Sequence, residues 1–138
     1  MDNYFNWTDA WVFTALYYST KDGSELNLRN LISAGDYLNH AIFERNEVVE
    51  GLTKVQKRGL LLLKNQTISY SEIAEAIFEK FNKSKGGQFS RVDIMLKNLN
   101  SNRNKFPLID EVNFCEFITD LLLKSAYESY SNSIILNK

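Results

Sequence analysis

Apolar residues recur at helical spacing along most of this chain, and a short continuous run, Leu60 to Leu63, lies near its middle. The spacing predicts a first helix from Thr8 to Ser19, with Thr8 as its cap and Asp9 at the positive helix end. Ala10, Trp11, Phe13, Ala15, Leu16, Tyr17 and Tyr18 cover most of that helix's circumference, so it is expected to be buried or covered by another element. Lys21-Asp22-Gly23-Ser24 reads as a turn, and Glu25 to Leu28 as a short edge strand. Leu28, Leu31, Ile32 and Gly35 then mark a second helix from Leu28 to Asn39. Leu38, Ala41, Ile42 and Phe43 lead out of it and are expected to plug the core.

A third helix follows from Glu44 to Arg58. Val48, Leu52, Val55 and Gly59 form its inward stripe, with Val49 and Gln56 at the edges. Gly59 suits the position just past the helix, where a left-handed backbone is common. Leu60 to Lys64 and Thr67 to Tyr70 read as two strands joined by Asn65-Gln66, a tight hairpin. Ser69 and Glu72 have the spacing of a capping box opening a fourth helix to Phe81. Ile73, Ala74, Ile77, Phe78 and Phe81 make its apolar stripe. Gly86-Gly87 marks a connector, and Ser90 caps a fifth helix with Val92, Met95, Leu96 and Leu99 inward. Asn100 to Pro107 is a polar loop. The last helix runs from Glu111 or Phe114 to Tyr130 and carries Phe114, Phe117, Ile118, Leu121, Leu122 and Ser125 on one face, widened by Leu123, Ala126, Tyr127 and Tyr130. It is long and apolar enough to pack along the first helix, or to pair with its own copy. The pattern therefore predicts a mainly α fold with a small β-hairpin.

Composition narrows the class rather than the function. The 138 residues are enough for one domain, with 44% apolar and 24% charged residues, as in ordinary globular proteins. The start of the chain has no basic segment, and its apolar run is broken by Thr8 and Asp9, unlike a secretory signal. The longest apolar run is four residues (Leu60 to Leu63 is one), against roughly 20 needed to span a bilayer. Cys115 is the only cysteine. No membrane partner and a cytoplasmic location are the expectations.

The net charge of −1 conceals a block pattern. Residues 1–79 carry −4, residues 80–105 carry +6, and residues 106–138 carry −3. The middle band, with Lys80, Lys83, Lys85, Arg91, Lys97, Arg103 and Lys105, is where a polyanion would be met by charge. The same band also reads as a solvated face answering acidic flanks.

Candidate chemistry is sparse. His40 is the only histidine; with Asp36 one turn before it, it has no nucleophile at a readable spacing, and it reads as the structural end of the second helix. Cys115 reads as a small buried hydrophobe. No phosphate loop, nucleophile elbow or metal-ligand cluster is present in the sequence, so no catalytic residue, metal or cofactor is assigned. Tyr4, Phe5, Trp7, Trp11, Tyr17 and Tyr18 crowd the first 18 residues as core, partner surface or pocket lining.

The stretch VVEGLTKVQKRGLLLL, residues 48–63, has Leu52, Val55, Gly59 and Leu60 where a helix runs into a first wing strand. In this it resembles winged helix-turn-helix proteins, among them the MarR-like and PadR-like bacterial regulators. GDYLNHAIF (residues 35–43) and AWVFTALYY near the start look like small bacterial winged-helix proteins. The resemblance spans about residues 8–81. It implies a winged-helix domain over residues 1–82, with residues 83–138 as a C-terminal helical extension on the same core. It also implies DNA binding and transcription regulation, with the third helix in the major groove and the wing on the backbone. Arg45, Asn46, Thr53, Lys54, Lys57 and Lys64 would then face double-stranded DNA.

The residues of that helix pull against this. Glu44, Glu47 and Glu50 occupy the half that meets base edges, and carboxylates facing phosphate are unfavourable. Glu50 stands four residues before Lys54, the favoured order for an exposed pair. A winged helix used for protein–protein contact is the alternative, with a homodimer through the first and last helices as a further expectation.

Overall fold

The computed structural model describes residues 4–21, 25–64, 67–84, 88–101 and 119–136; the side chains of 62–64, 67, 88–90, 120, 121 and 133–136 fall outside that description. The elements run α1 (Trp7–Thr20), α2 (Leu28–Asn39), α3 (Arg45–Lys57), β1 (Leu61–Lys64), β2 (Thr67–Tyr70), α4 (Glu72–Lys83), α5 (Gln88–Ser101) and α6 (Asp120–Leu136). The described part is mainly helical, with β1 and β2 paired antiparallel in the register Leu61 to Tyr70 and Lys64 to Thr67.

α1 is the hub. It packs against α2, α3 and α5, and every residue from Asp9 to Leu16 is buried. A helix surrounded on three sides needs no polar face, which is why its sequence shows almost no amphipathic pattern. Its start is fixed locally. The Asn6 side chain accepts from the Asp9 N–H at 2.8 Å, and the Asp9 carboxylate accepts from the Asn6 N–H at 2.9 Å. Asn6 rather than Thr8 is thus the cap, because an Asn–Asp pair three apart satisfies two N–H groups at once.

Two glycines let helices approach. A Cβ at Gly51 of α3 would lie 2.9 Å from the Val12 Cβ of α1, closer than carbon atoms tolerate. A Cβ at Gly35 of α2 would lie 2.6 Å from Cζ of Phe43. That ring lies against Trp11, tilted by 38° with centroids 4.1 Å apart, and the Trp11 indole N–H donates to the Gly35 carbonyl at 2.9 Å.

An aromatic cluster fastens the hairpin and α4 to α1. Phe78 lies 5.3 Å from Phe13, 4.1 Å from Tyr17 and 4.8 Å from Tyr70, centroid to centroid. The Tyr70 and Thr20 hydroxyls share a 2.6 Å hydrogen bond. Val92, Met95 and Leu99 of α5 join the same core as the residues of α1 to α4.

Several local expectations change. Glu25 to Asn27 is not a strand: the Asn27 side chain accepts from the Asn30 N–H and turns the backbone into α2. Ser71, not Ser69, caps α4, accepting from the Ala74 N–H at 3.2 Å; Ser69 is held in the ladder opposite Leu62. Ser90 lies inside α5, which begins at Gln88, and Asn100 belongs to that helix rather than to a loop. Phe43 fills the core at the α2–α3 turn, whereas Ile42 is 37% exposed. α6 packs on α2, not along α1, and buries Leu123 while Leu122 and Ser125 face outward. Asp22 to Ser24, Asn65-Gln66, Gly86-Gly87, Phe114, Cys115, Phe117 and Ile118 lie outside the described residues.

Among the described residues, no helix is long and apolar enough to cross a membrane.

Candidate nucleic-acid interface

The six residues expected to face DNA sit on α3 and β1. α3 opens with the Glu44 N–H donating to Glu47 Oε1 at 2.8 Å, so one of the three acids is used in capping. It closes where Gly59 adopts φ 70°, with the Gly59 N–H on the Gln56 carbonyl and the Leu60 N–H on the Val55 carbonyl. The Ser71 N–H then donates to the Leu60 carbonyl at 3.0 Å, tying the far end of the hairpin back to the exit of α3.

Burial divides α3 cleanly. Val48, Leu52 and Val55 are fully buried, with Val49 and Gln56 beside them. Asn46 and Glu50 are exposed, and Thr53 and Lys57 are half-buried on the same side. This outward row therefore holds one acid and one base.

Lys54 is turned the other way. Its ammonium lies 2.7 Å from Oδ2 of Asp9, which is 2% exposed, and 5.8 Å from the ring centroid of Tyr4. A buried carboxylate without a cation would be costly, so the pair is a fastening between α3 and the start of α1. It takes Lys54 away from Glu50, its expected partner on the helix. The Arg58 guanidinium sits 4.1 Å from the same Tyr4 ring, within cation–π range. Tyr4 is placed there by Phe5, which is 1% exposed. The Phe5 N–H donates to Oδ1 of Asn100, and the Asn100 amide donates back to the Phe5 carbonyl at 3.1 Å. Three polar atoms on this part of α3 are buried with no hydrogen-bond partner: Thr53 Oγ1, Gln56 Oε1 and Arg58 Nε.

Arg45 is half-buried at the start of α3, and Lys64 ends β1 opposite Thr67, with its side chain outside the description. Six candidates thus share one helix and strand, but Lys54 is engaged inward. Asp9, Tyr4 and Arg58, none of them among the six, meet Lys54 and its helix end here. The Asn6–Asp9 spacing is visible in the sequence as a box; the partner of Asp9 stands 45 residues away and carries no local signal.

The basic band is divided as well. Lys80 is exposed, and Lys83 pairs with Glu79 one turn away. Arg91 turns inward, donating to the Phe81 carbonyl at 2.7 Å and lying 4.9 Å from the Phe81 ring. Lys97 lines a cleft of about 410 Å³ with Asp93, Leu96, Asn100 and Ser101, and the Trp7 indole N–H donates to Asp93 at 3.0 Å. Lys85, Arg103 and Lys105 lie outside the described residues.

His40 ends α2 in a left-handed conformation (φ 52°), its backbone N–H donating to the Asp36 carbonyl at 2.6 Å. The Asp36 carboxylate accepts instead from the Tyr130 hydroxyl of α6 at 2.7 Å. Burial, reinforced by Asp36, pushes the Tyr130 pKa upward. Burial also raises Tyr70 well beyond the usual tyrosine range, against the lowering effect of the Thr20 hydrogen bond. Among the described residues, no group of three His, Cys, Asp or Glu is placed to hold a metal ion.

Comparison with known protein families, with curated proteins and with solved structures gives no match.

Proposed function

We propose that this protein is a winged-helix-like module that works through protein–protein contact rather than by reading duplex DNA with α3. The observation that carries the reading is the engagement of Lys54 by buried Asp9 at 2.7 Å. It leaves the outward row of α3 as Asn46, Glu50, Thr53 and Lys57, close to neutral, with Glu47 at its N-terminal end. A helix entering the major groove needs a cationic surface because phosphate contacts dominate affinity. A mixed acid–base–amide row suits a polar protein surface instead.

The test has two arms. Binding to mixed-sequence duplex DNA is measured at about 50 mM and 200 mM salt, where a protein using several phosphates loses affinity steeply. Weak, nearly salt-independent binding is the expected result; tight binding that collapses with salt sinks the reading. In the second arm, charge reversal at Glu47 and Glu50 is expected to abolish a purified hetero-complex.

The order α1–α2–α3–β1–β2 favours a second reading, a DNA-binding transcription regulator. In that arrangement α3 and the hairpin would approach the duplex together. The salt titration separates the two.

A further inference from the structure

We infer that the Tyr4 ring, with the Asp9 carboxylate beside it, masks a latent anion-binding site at the C-terminal end of α3, built from Lys54, Lys57 and Arg58. This goes beyond the protein-contact reading, which concerns the surface as it stands. Lys54 of α3 and Arg58, which caps its C-terminal end, both end on the one segment Tyr4 to Asp9. Lys54 meets the Asp9 carboxylate at 2.7 Å, and Arg58 lies 4.1 Å from the Tyr4 ring. The ring face and the carboxylate offer negative potential where a phosphate would otherwise sit. Neither replaces a phosphate fully. Arg58 Nε is buried without a hydrogen-bond partner, because a ring face accepts no directed bond from it. Lys57 stands half-buried next to Arg58 in sequence. With Tyr4 and Asp9 removed, Lys54 and Arg58 are freed beside Lys57, giving three cations within five residues.

The mask is held by contacts separable from the cations. Phe5 inserts into the core and pairs through its backbone with Asn100. A partner that takes Phe5 from its place therefore lifts Tyr4 off Arg58 in the same motion. The ligand class is a phosphate polyanion, and the probe is mixed-sequence duplex DNA.

The experiment compares the full chain with Tyr4→Phe, Tyr4→Ala and Tyr4→Ala/Asp9→Asn, and adds Lys54→Ala/Arg58→Ala both to the full chain and to the last of these. Tyr4 is only half-buried, so Tyr4→Ala is expected to fold even if Asp9→Asn does not; circular dichroism checks each. Affinity is followed against salt. Each phosphate newly contacted steepens the slope of log affinity against log salt by about 0.9. Tyr4→Ala is expected to steepen it by about 0.9 and Tyr4→Ala/Asp9→Asn by about 1.8, one phosphate for each freed cation. Tyr4→Phe keeps the ring and is expected to match the unaltered chain. A folded Tyr4→Ala with an unchanged slope overturns the mask, as does a gain that survives loss of Lys54 and Arg58. If the unaltered chain already binds DNA through Lys54 and Arg58, both the mask and the protein-contact reading fall. If it binds DNA without them, only the latter falls.

Discussion

α1 and α6 are both long helices rich in large apolar residues, yet they occupy opposite kinds of place. α1 is enclosed by α2, α3 and α5, and eight consecutive residues, Asp9 to Leu16, are buried. α6 packs on α2, buries Leu123, and leaves Leu122 and Tyr127 more than 40% exposed. α6 carries Asp120, Lys124 and Glu128 where α1 carries only Asp9, but the difference lies also in how many neighbours reach each helix, and glycine decides part of that. Gly51 lets α3 settle against Val12, and Gly35 leaves room for the Phe43 ring that packs against Trp11. No described residue plays that role for α6. Burial is a property of the partners as much as of the helix, which is why the apolar pattern reads correctly for α1 while Leu122, placed on the apolar face of the last helix, is exposed.

The largest expected effect tests this contrast directly. Leu16→Ala empties a fully buried site in α1 and is expected to cost about 2–5 kcal/mol of stability. Leu122→Ala on α6 is expected to stay within about 0.5 kcal/mol, as exposed substitutions do. Chemical denaturation of the two variants measures both. Similar losses would break the comparison and mean that the outer face of α6 is covered in solution. Dependence of the Leu122→Ala effect on protein concentration would then identify a second copy as the cover.

Close approach at α1 is sharpened by overpacking. Gly51→Ala places a methyl group 2.9 Å from Val12, and relief requires α3 to move off α1. The expected loss is about 1–3 kcal/mol, and Val12→Ala in the same chain is expected to recover part of it. An additive double variant would show that Val12 is not what limits the approach.

How far the sequence carried these features follows from the range of the interactions. The three-residue and four-residue spacings of Val48, Leu52 and Val55, and of Ile77 and Phe81, fixed helix positions well, because burial along one helix repeats locally. Gly59 was readable as a helix end because its positive φ is a property of one residue. Caps were readable only as candidates. Ser69 and Ser71 both precede α4, and the choice belongs to the β1–β2 ladder, which claims Ser69. Asn27 was read as strand since its capping partner, Asn30, makes a bond that amphipathic patterning does not register. The candidate interface was legible as a helix and least legible in its charges. Lys54 was given to Glu50 by local spacing and is taken by Asp9 across 45 residues.

Alkaline pH offers a smaller and more selective probe of α6. The Tyr130 hydroxyl donates to Asp36, and its folded pKa is raised above the ordinary 10.0. The unfolded or undocked chain therefore loses this proton first as pH rises. The stabilising contribution is complete below about pH 10 and is lost as pH climbs through the raised folded value. Tyr70 shifts in the same direction and acts on the α1–α4 cluster. Tyr130→Phe removes the hydrogen bonds of the hydroxyl with Asp36 and Ser33, is expected to cost about 1–2 kcal/mol of α6 docking, and removes the part of its alkaline release that Tyr130 causes. Hydrogen exchange of α6 between pH 8 and 11 is too fast to follow by hand, so binding of a hydrophobic dye to the uncovered α2 face is the better readout. Undiminished alkaline release in the variant would assign it to other groups.

The smallest expected effect separates the two helices by the way their ends fail. Asn6 caps α1 within a reciprocal box, and Thr119 caps α6 by accepting from the Leu122 N–H at 3.1 Å. Either cap replaced by alanine costs about 1 kcal/mol locally. At Asn6 the loss must appear in global stability, because α1 cannot fray without releasing Trp11 and Phe13 from the core. At Thr119 it need not, because the residues of α6 nearest that end include exposed Leu122. The expected result is a lowered unfolding midpoint for Asn6→Ala. For Thr119→Ala the midpoint stays nearly unchanged while amide exchange quickens in the first turns of α6 at neutral pH, the signature of local opening. Equal shifts in the midpoint would mean that α6 folds and unfolds with the core, and that the exposure of its outer face hides a coupling through α2 as strong as any made by α1.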